Sequence, residues 1–135
     1  MQMAEYKSLG KPDEVREFPK GRLELARIGG AAVGRSTFEP GWRWSTSVKP
    51  IAKTASCQAT HFGYLVSGVL ATRLDDGTEF EARAGDAVLI PPGHDGWVVG
   101  NEPVTLDRAQ RIEHAAATAE HEAEGEEGLR KPGPR

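Results

Sequence analysis

Between residues 14 and 107 the chain consists of short runs of alternating apolar and polar residues, separated by glycine, proline and aspartate. Alternation with a period of two predicts strands that bury one face, and turn residues at this spacing are typical of antiparallel sandwiches and barrels. No helical period occurs before residue 108. The runs that predict strands are 15–18, 23–28, 32–38, 42–47, 61–66, 69–74, 78–82, 87–90, 97–99 and 104–106.

The fold class follows from this pattern. Ten short antiparallel strands in one chain favour a jelly-roll β-barrel or another small barrel, because closure or a double layer protects the sheet edges. We therefore predict an all-β domain over residues 14–107. Residues 1–13 are polar and aperiodic, which predicts a flexible lead-in. Residues 108–135 form an acidic tail with almost no apolar stripe, which predicts a short solvated helix followed by disorder.

Composition narrows the classes of protein. A chain of 135 residues with net charge -3 has the length of one domain, and it contains no dense Lys/Arg cluster, so neither nucleic acid nor a membrane is an expected partner. The single cysteine, Cys57, rules out an intramolecular disulfide. No leader-like segment and no bilayer-length apolar run is present, and we expect a cytoplasmic protein.

Two segments carry the candidate chemistry, "CQATHFGYLVSG" at 57–68 and "GDAVLIPPGHDGW" at 85–97. In the second, Gly85 is followed by five residues and then by Pro-Pro-Gly. In the first, an aromatic and two aliphatic residues lead to Gly68, and Gly41 stands upstream. The pair resembles the two motifs of the cupin superfamily over roughly residues 31–107. The resemblance implies a jelly roll, a small single-domain cupin and a homodimer, but no particular activity, since this fold hosts many.

The four metal-ligand positions of that family are only partly filled here. Judged by the resemblance, Ala55 and Cys57 stand where two histidines are expected, and His61 stands at the glutamate position. In the second motif Gly96 occupies the last histidine position, and His94 lies two residues earlier. The family's usual ligand set is therefore absent.

A different ligand set is nevertheless possible. Cys57 and His61 enter one strand, and His94 begins the strand expected to face it, with the same parity as position 96. One thiolate and two imidazoles suit Zn²⁺ with an open fourth position; Fe, Mn, Ni and Cu remain possible. Alternatively, Cys57 is a buried small residue or a reactive thiol, His61 a core histidine and His94 a brace for the Pro-Pro-Gly turn.

Aromatic residues near these segments form the second candidate feature. Trp42 and Trp44 are predicted on one face of a strand, and Tyr64 and Trp97 lie within the two motifs. We predict that they line a pocket for a small organic ligand, the alternative being that they fill the core. Three functions are considered. The first is a metal-binding cupin with a ligand or substrate pocket, including a metal-dependent enzyme, and the second is a non-catalytic sensing or binding module with a partly vestigial site. The third is a scaffold or dimer unit with a vestigial site.

Overall fold

The structure is a computed structural model that describes residues 3–111. Within that range it contains nine strands and two four-residue helices. The elements in chain order are β1 (Glu14–Phe18), β2 (Gly21–Ile28), β3 (Ala31–Phe38), α1 (Trp44–Ser47), α2 (Lys49–Ala52), β4 (His61–Ser67), β5 (Val69–Leu74), β6 (Glu79–Arg83), β7 (Ala87–Ile90), β8 (His94–Val98) and β9 (Val104–Arg111).

The strands form two antiparallel sheets. The larger sheet has the order β1-β2-β3-β9-β4-β7, and the smaller has the order β6-β5-β8. The predicted all-β class with jelly-roll topology is confirmed. Strand β9 pairs with β3 on one side and with β4 on the other, so the two ends of the domain lie in one sheet. The alternation of residues within a single strand does not predict such pairing between distant segments.

The core lies on the inward face of each sheet. Alternation is clear in β7, where Val88 and Ile90 are buried and Ala87 and Leu89 are exposed. The buried cluster draws on both sheets, with Leu65 and Leu106 from the larger one and Leu70 from the smaller one. Removal of these alternating side chains from water is the main stabilising term of such a fold.

The strand predicted at 42–47 is wrong. Only Arg43 makes an isolated bridge, to Trp97, and helix α1 then begins at Trp44. The carboxylate of Asp95 on β8 accepts a hydrogen bond from the Ser45 N–H over 3.0 Å, which satisfies a donor that the first turn of a helix leaves unpaired. Since Asp95 is fifty positions away along the chain, the alternation around Trp42 gave no sign of this turn.

Two strands extend furthest beyond the predicted runs. Strand β8 begins at His94 instead of residue 97, and β9 continues to Arg111 instead of ending at 106. The first four residues of the predicted tail, 108–111, thus pair with β3. The helix and disorder predicted for the remainder of the tail fall on 112–135, outside the described residues.

The described part of the lead-in, residues 3–13, contains no helix or strand. It contacts β2 and the turn after it, because Asp13 accepts a hydrogen bond from the Arg27 N–H over 2.7 Å and Glu5 accepts one from the Gly29 N–H over 3.0 Å. Over residues 3–111, neither helix has the length or the apolar character that crossing a bilayer requires.

Candidate metal centre and its cavity

Cys57, His61 and His94 lie together between the two sheets. Cys57 precedes β4 and pairs through its backbone with β8: its N–H donates to the His94 carbonyl over 2.7 Å, and its carbonyl accepts from the Gly93 N–H over 2.7 Å. His61 is the first residue of β4. The potential ligand atoms of the three side chains all lie within 4.8 Å of one another.

The ring of His94 has a defined hydrogen-bonding state. Its Nδ1 lies 2.7 Å from the Pro91 carbonyl oxygen, and because a carbonyl can only accept, Nδ1 carries the proton. Burial lowers the pKa of His94 below its ordinary value of 6.5, against the smaller raising effects of the Pro91 hydrogen bond and of the Asp75 and Asp95 charges. The ring is therefore neutral at pH 7, and Nε2 presents a lone pair.

His61 uses both ring nitrogens. Nε2 lies 3.7 Å from Cys57 Sγ, and an N–H of Arg108 donates to Nδ1 over 3.1 Å. A guanidinium has donors only, so Nδ1 accepts, and the neutral His61 ring carries its proton on Nε2. That proton is directed at the Cys57 sulfur.

The three side chains fit a transition-metal ion. Tetrahedral zinc at about 2.0–2.3 Å from each ligand keeps nitrogen and sulfur ligand atoms roughly 3.3–3.8 Å apart. The 3.7 Å between Cys57 and His61 already matches that spacing. The wider pairs, at up to 4.8 Å, must close by up to roughly 1.5 Å, which rotation about side-chain bonds can provide. A Cys/His/His set is also chemically appropriate for zinc.

The three candidate ligands line a cavity of about 110 Å³. This is smaller than the roughly 300–1,000 Å³ typical of sites for drug-sized ligands, so it suits a molecule of few atoms. Among the described residues, the charged or titratable side chains on its wall are Cys57, His61, His94 and Arg108. The other lining residues are Phe18, Leu23, Ser36, Phe38, Trp42, Trp44, Val48, Ala59, Leu70, Thr72, Ile90, Gly96 and Leu106.

Two of the four predicted pocket aromatics line this cavity. Trp42 and Trp44 are both buried on its wall. Trp42 stacks on Phe38, with ring centroids 4.1 Å apart. Its Nε1–H is buried and has no acceptor among the described residues, a state that typically costs about 1–3 kcal/mol.

The other two predicted aromatics do not line the cavity. Tyr64 is half-exposed on the outer face of β4, since it lies an odd number of residues from His61. Trp97 lies an odd number of residues from His94 and turns away from the cavity in the same manner. Its ring instead packs under the Arg43 guanidinium, whose central carbon lies 4.2 Å from the ring centroid.

Sequence reasoning missed Arg108. This residue lies on β9 with the same parity as the buried Val104 and Leu106, and it pairs with Gly34 on one side and Gly63 on the other. The alternation of positions 104, 106 and 108 would have placed it inside, had the strand been extended by two residues. It brings a fixed positive charge to a cavity whose wall is mostly apolar.

Solved structures with the same architecture were found across the larger part of the chain. RemF, a polyketide cyclase from Streptomyces resistomycificus, is 17% identical, with a TM-score of 0.57 over 82% of this chain and 81% of RemF. KdgF from a Halomonas species is 14% identical, with a TM-score of 0.54 over 76% of this chain and 90% of KdgF. The chain has the fold of the cupin superfamily.

A mutant of the oxalate decarboxylase OxdC from Bacillus subtilis shares this cupin fold at 21% identity, with a TM-score of 0.52 over 76% of this chain and 28% of OxdC. No model of a known protein family matches the sequence, and no curated protein matches it. At these identities the likeness concerns the fold, and the site has to be judged from its own residues.

The glycines of the two cupin-like motifs explain why the sequence predicted the fold. Gly41, Gly68, Gly85 and Gly93 all have positive φ, between 82° and 99°, which side chains with a Cβ rarely adopt. Gly96, at the last cupin histidine position, lines the cavity together with His94. The candidate ligand His94 therefore lies two residues from this position on the same face of β8.

Proposed function

We propose that this protein is a small metal-binding cupin that holds a divalent transition-metal ion, zinc foremost, with Cys57, His61 and His94, and that binds a small organic molecule in the adjoining cavity. One observation carries the proposal: three potential ligand atoms within 4.8 Å of one another on the wall of an apolar cavity. The hydrogen bond from His94 to Pro91 supports it, because such bonds fix the orientation of metal-ligating imidazoles.

The chain's own residues supply binding, orientation and exclusion of water. His94 is held in the tautomer that a ligand needs, and the aromatic and aliphatic residues of the wall limit the contact of the three side chains with water. With three protein ligands, a bound zinc ion has an open position at which it acts as a Lewis acid or activates water. Iron, manganese, nickel and copper are tested against zinc in the experiment below.

A second function, non-catalytic binding or sensing of a metal or ligand, is favoured by a specific feature of the cavity. No Asp or Glu is among the described residues that line it, so its acid–base groups are the same three side chains that would hold the metal. Catalysis that needs a separate general acid or base would lack one there. Turnover of a ligand at the metal distinguishes the enzyme from the sensor.

The test is the metal content of protein purified without a His-tag or chelating column, followed by titration with Zn²⁺, Fe²⁺, Mn²⁺, Ni²⁺ and Cu²⁺. We expect about one tightly bound ion per chain, with zinc preferred. Cys57→Ser, His61→Ala and His94→Ala should each weaken zinc binding by at least about tenfold, since even loss of an outer partner of a ligand costs that much.

Glu79→Gln is the control, because it removes an exposed carboxylate on β6 that does not line the cavity. It should bind zinc as the unmodified protein does. Untagged protein that contains no metal and binds none on titration would overturn the proposal. Equal loss of binding in the Glu79 variant would show that binding is not specific to the cavity.

A further inference from the structure

Of the three candidate metal ligands, Cys57 alone lies outside the strands. It belongs to the segment 53–60, which connects α2 to β4 and whose only regular pairing is the bridge from Cys57 to His94. A side chain on such a connecting segment keeps its place only as well as the backbone beside it is held. The position of the thiol therefore depends on the contacts that attach this segment to the rest of the domain.

The side chain of Ser56, directly before Cys57, makes one of these attachments. Its hydroxyl is buried and donates a hydrogen bond of 3.0 Å to the carboxylate of Asp75, in the turn that follows β5. The side-chain amide of Gln58 donates to the same hydroxyl oxygen over 3.1 Å. A hydrogen bond to an ionised carboxylate is stronger than one between neutral groups, and a buried hydroxyl that loses its acceptor is costly. The Asp75 carboxylate therefore holds the backbone next to the thiol.

Asp75 also holds the segment that carries His94. Its N–H donates to the Gly93 carbonyl over 2.9 Å, and Gly93 directly precedes His94. A Cβ at Gly93 would fall 2.8 Å from Asp75 Oδ2, so the missing side chain at this position allows the carboxylate to lie against the backbone there. One aspartate thus bonds to both of the segments that the bridge from Cys57 to His94 joins.

We propose that Asp75 and Ser56 form a clamp that positions the Cys57 thiol beside His94 and makes it available as a metal ligand. Asp75 is a positioning residue in this clamp, since it acts through Ser56 and Gly93. The role in metal binding rests on the proposed function, whereas the placement of the thiol does not require an ion. Asp75 is exposed, so it can be substituted without a change in the core.

The first experiment is a titration of the metal-free protein with cobalt(II), followed by the sulfur-to-cobalt charge-transfer band, which reports thiolate bound to the ion. Asp75→Ala and Ser56→Ala should each weaken cobalt binding about fivefold, the factor that one net hydrogen bond represents. The band per bound ion should also lose intensity, because part of the protein then binds cobalt without the thiolate. A role in stability alone would leave the intensity per bound ion unchanged, and that result would overturn the inference.

Two further variants separate the hydrogen bond from charge and from general damage to the turn. Asp75→Asn removes the charge and keeps an oxygen that accepts from the Ser56 hydroxyl, so it should keep the full band. Asp76→Ala is the matched control, because it removes the neighbouring carboxylate, which accepts from the Thr78 N–H, and it should also keep the full band. A band in either variant as weak as in Asp75→Ala would overturn the clamp.

A second measurement does not depend on metal. Cys57 is the single cysteine of the chain and is buried, so the rate of its alkylation by iodoacetamide reports how often the segment opens. Asp75→Ala and Ser56→Ala should raise this rate at least about fivefold, and Asp76→Ala should leave it unchanged.

The two measurements distinguish failure of the clamp from failure of the metal site. Alkylation rates in Asp75→Ala and Ser56→Ala equal to that of the unmodified protein would overturn the clamp even if cobalt binds. Raised rates in a protein that binds no cobalt would remove the proposed metal site and support the clamp as the device that places the thiol.

Discussion

At the scale of single residues, His94 combines burial with a fixed tautomer. Its side chain is 5% exposed, and its Nδ1–H is bonded to Pro91. Protonation at Nε2 would place a charge in an apolar cavity, and this desolvation is the leading cause of its lowered pKa. The same burial that keeps the ring neutral therefore makes the fold sensitive to acid.

We predict that the metal-free protein loses stability as the pH falls below about 6.5. The folded pKa of His94 lies below its ordinary value of 6.5, so in the interval between the two the unfolded chain takes up a proton at this residue and the folded chain does not. Acidification then favours unfolding, with a contribution from this residue of at most about 1.4 kcal/mol per pH unit. Urea denaturation in the presence of a chelator, from pH 7.5 to 5.5, measures the slope.

His94→Gln is the control for this slope, because the other three histidines are present in both proteins. The variant should be less stable at pH 7.5 and show a shallower loss of unfolding free energy on acidification. An equal slope in both proteins would mean that His94 takes up its proton as readily in the folded chain as in the unfolded one.

Parity decided which site residues the sequence could identify. His94 was assigned to the inward face because it shares parity with position 96, and the structure places both on the cavity wall. The same rule, applied from His61 and His94, would have turned Tyr64 and Trp97 outward. The hydrogen bond between Arg108 and His61 was out of reach, because it depends on the pairing of β4 with β9 across 47 positions.

At the scale of elements, the contact between β4 and β9 limits what can stand at Gly63. A Cβ there would fall far inside van der Waals contact of the Asp107 carbonyl oxygen, a backbone atom that can move only with its strand. Gly63→Ala should therefore push the two strands apart and lower the free energy of unfolding by about 2 kcal/mol or more. Urea denaturation at neutral pH measures this loss.

Gly96→Ala is the matched control for that substitution. The nearest atoms to a Cβ at Gly96 are the Ala71 carbonyl oxygen at 3.4 Å and a Trp42 ring carbon at 3.9 Å. The added methyl group fits there, and the change in stability should stay under about 1 kcal/mol. Equal stability of the two variants would show that β4 and β9 adjust to each other more easily than their backbone contact implies.

The elements themselves were predictable where the signal was local. Nine of the ten predicted runs correspond to strands because alternation and turn glycines act within a few residues. The run at 42–47 failed because Asp95 contributes the acceptor for α1 from another strand. The order of strands in the sheets was not predicted, since pairing between distant segments leaves no periodic trace.

At the scale of the whole molecule, an apolar patch remains on the outer face of the larger sheet. It consists of Phe62, Tyr64, Val66 and Leu89, which are 63%, 50%, 42% and 67% exposed. Phe62 and Leu89 are partners in register, and they lie beside the open edge formed by β7. Contiguous exposed apolar groups of this kind mark interaction surfaces.

The charges beside this patch are balanced. Arg35 donates two hydrogen bonds of 2.7 Å to the Asp107 carboxylate, and Asp107 is the register partner of Tyr64. This ion pair therefore adds no net charge to the border of the patch, and the border does not repel an identical surface on this account. We propose that a second copy of the chain covers the patch. A two-fold axis would bury the patch of one copy against the same patch of the other.

The homodimer is tested by light scattering with size-exclusion chromatography. The unmodified protein should have twice the 14.6 kDa mass of the chain. The double variant Phe62→Glu, Leu89→Glu should have the mass of one chain, because its dimer would have to bury four unpaired carboxylates. Its circular dichroism spectrum should be unchanged. Val15→Glu is the control, since Val15 is 42% exposed on β1 at the opposite edge of the same sheet, and it should stay dimeric. A monomeric unmodified protein, or a double variant that stays dimeric, would show that a second copy does not cover this patch.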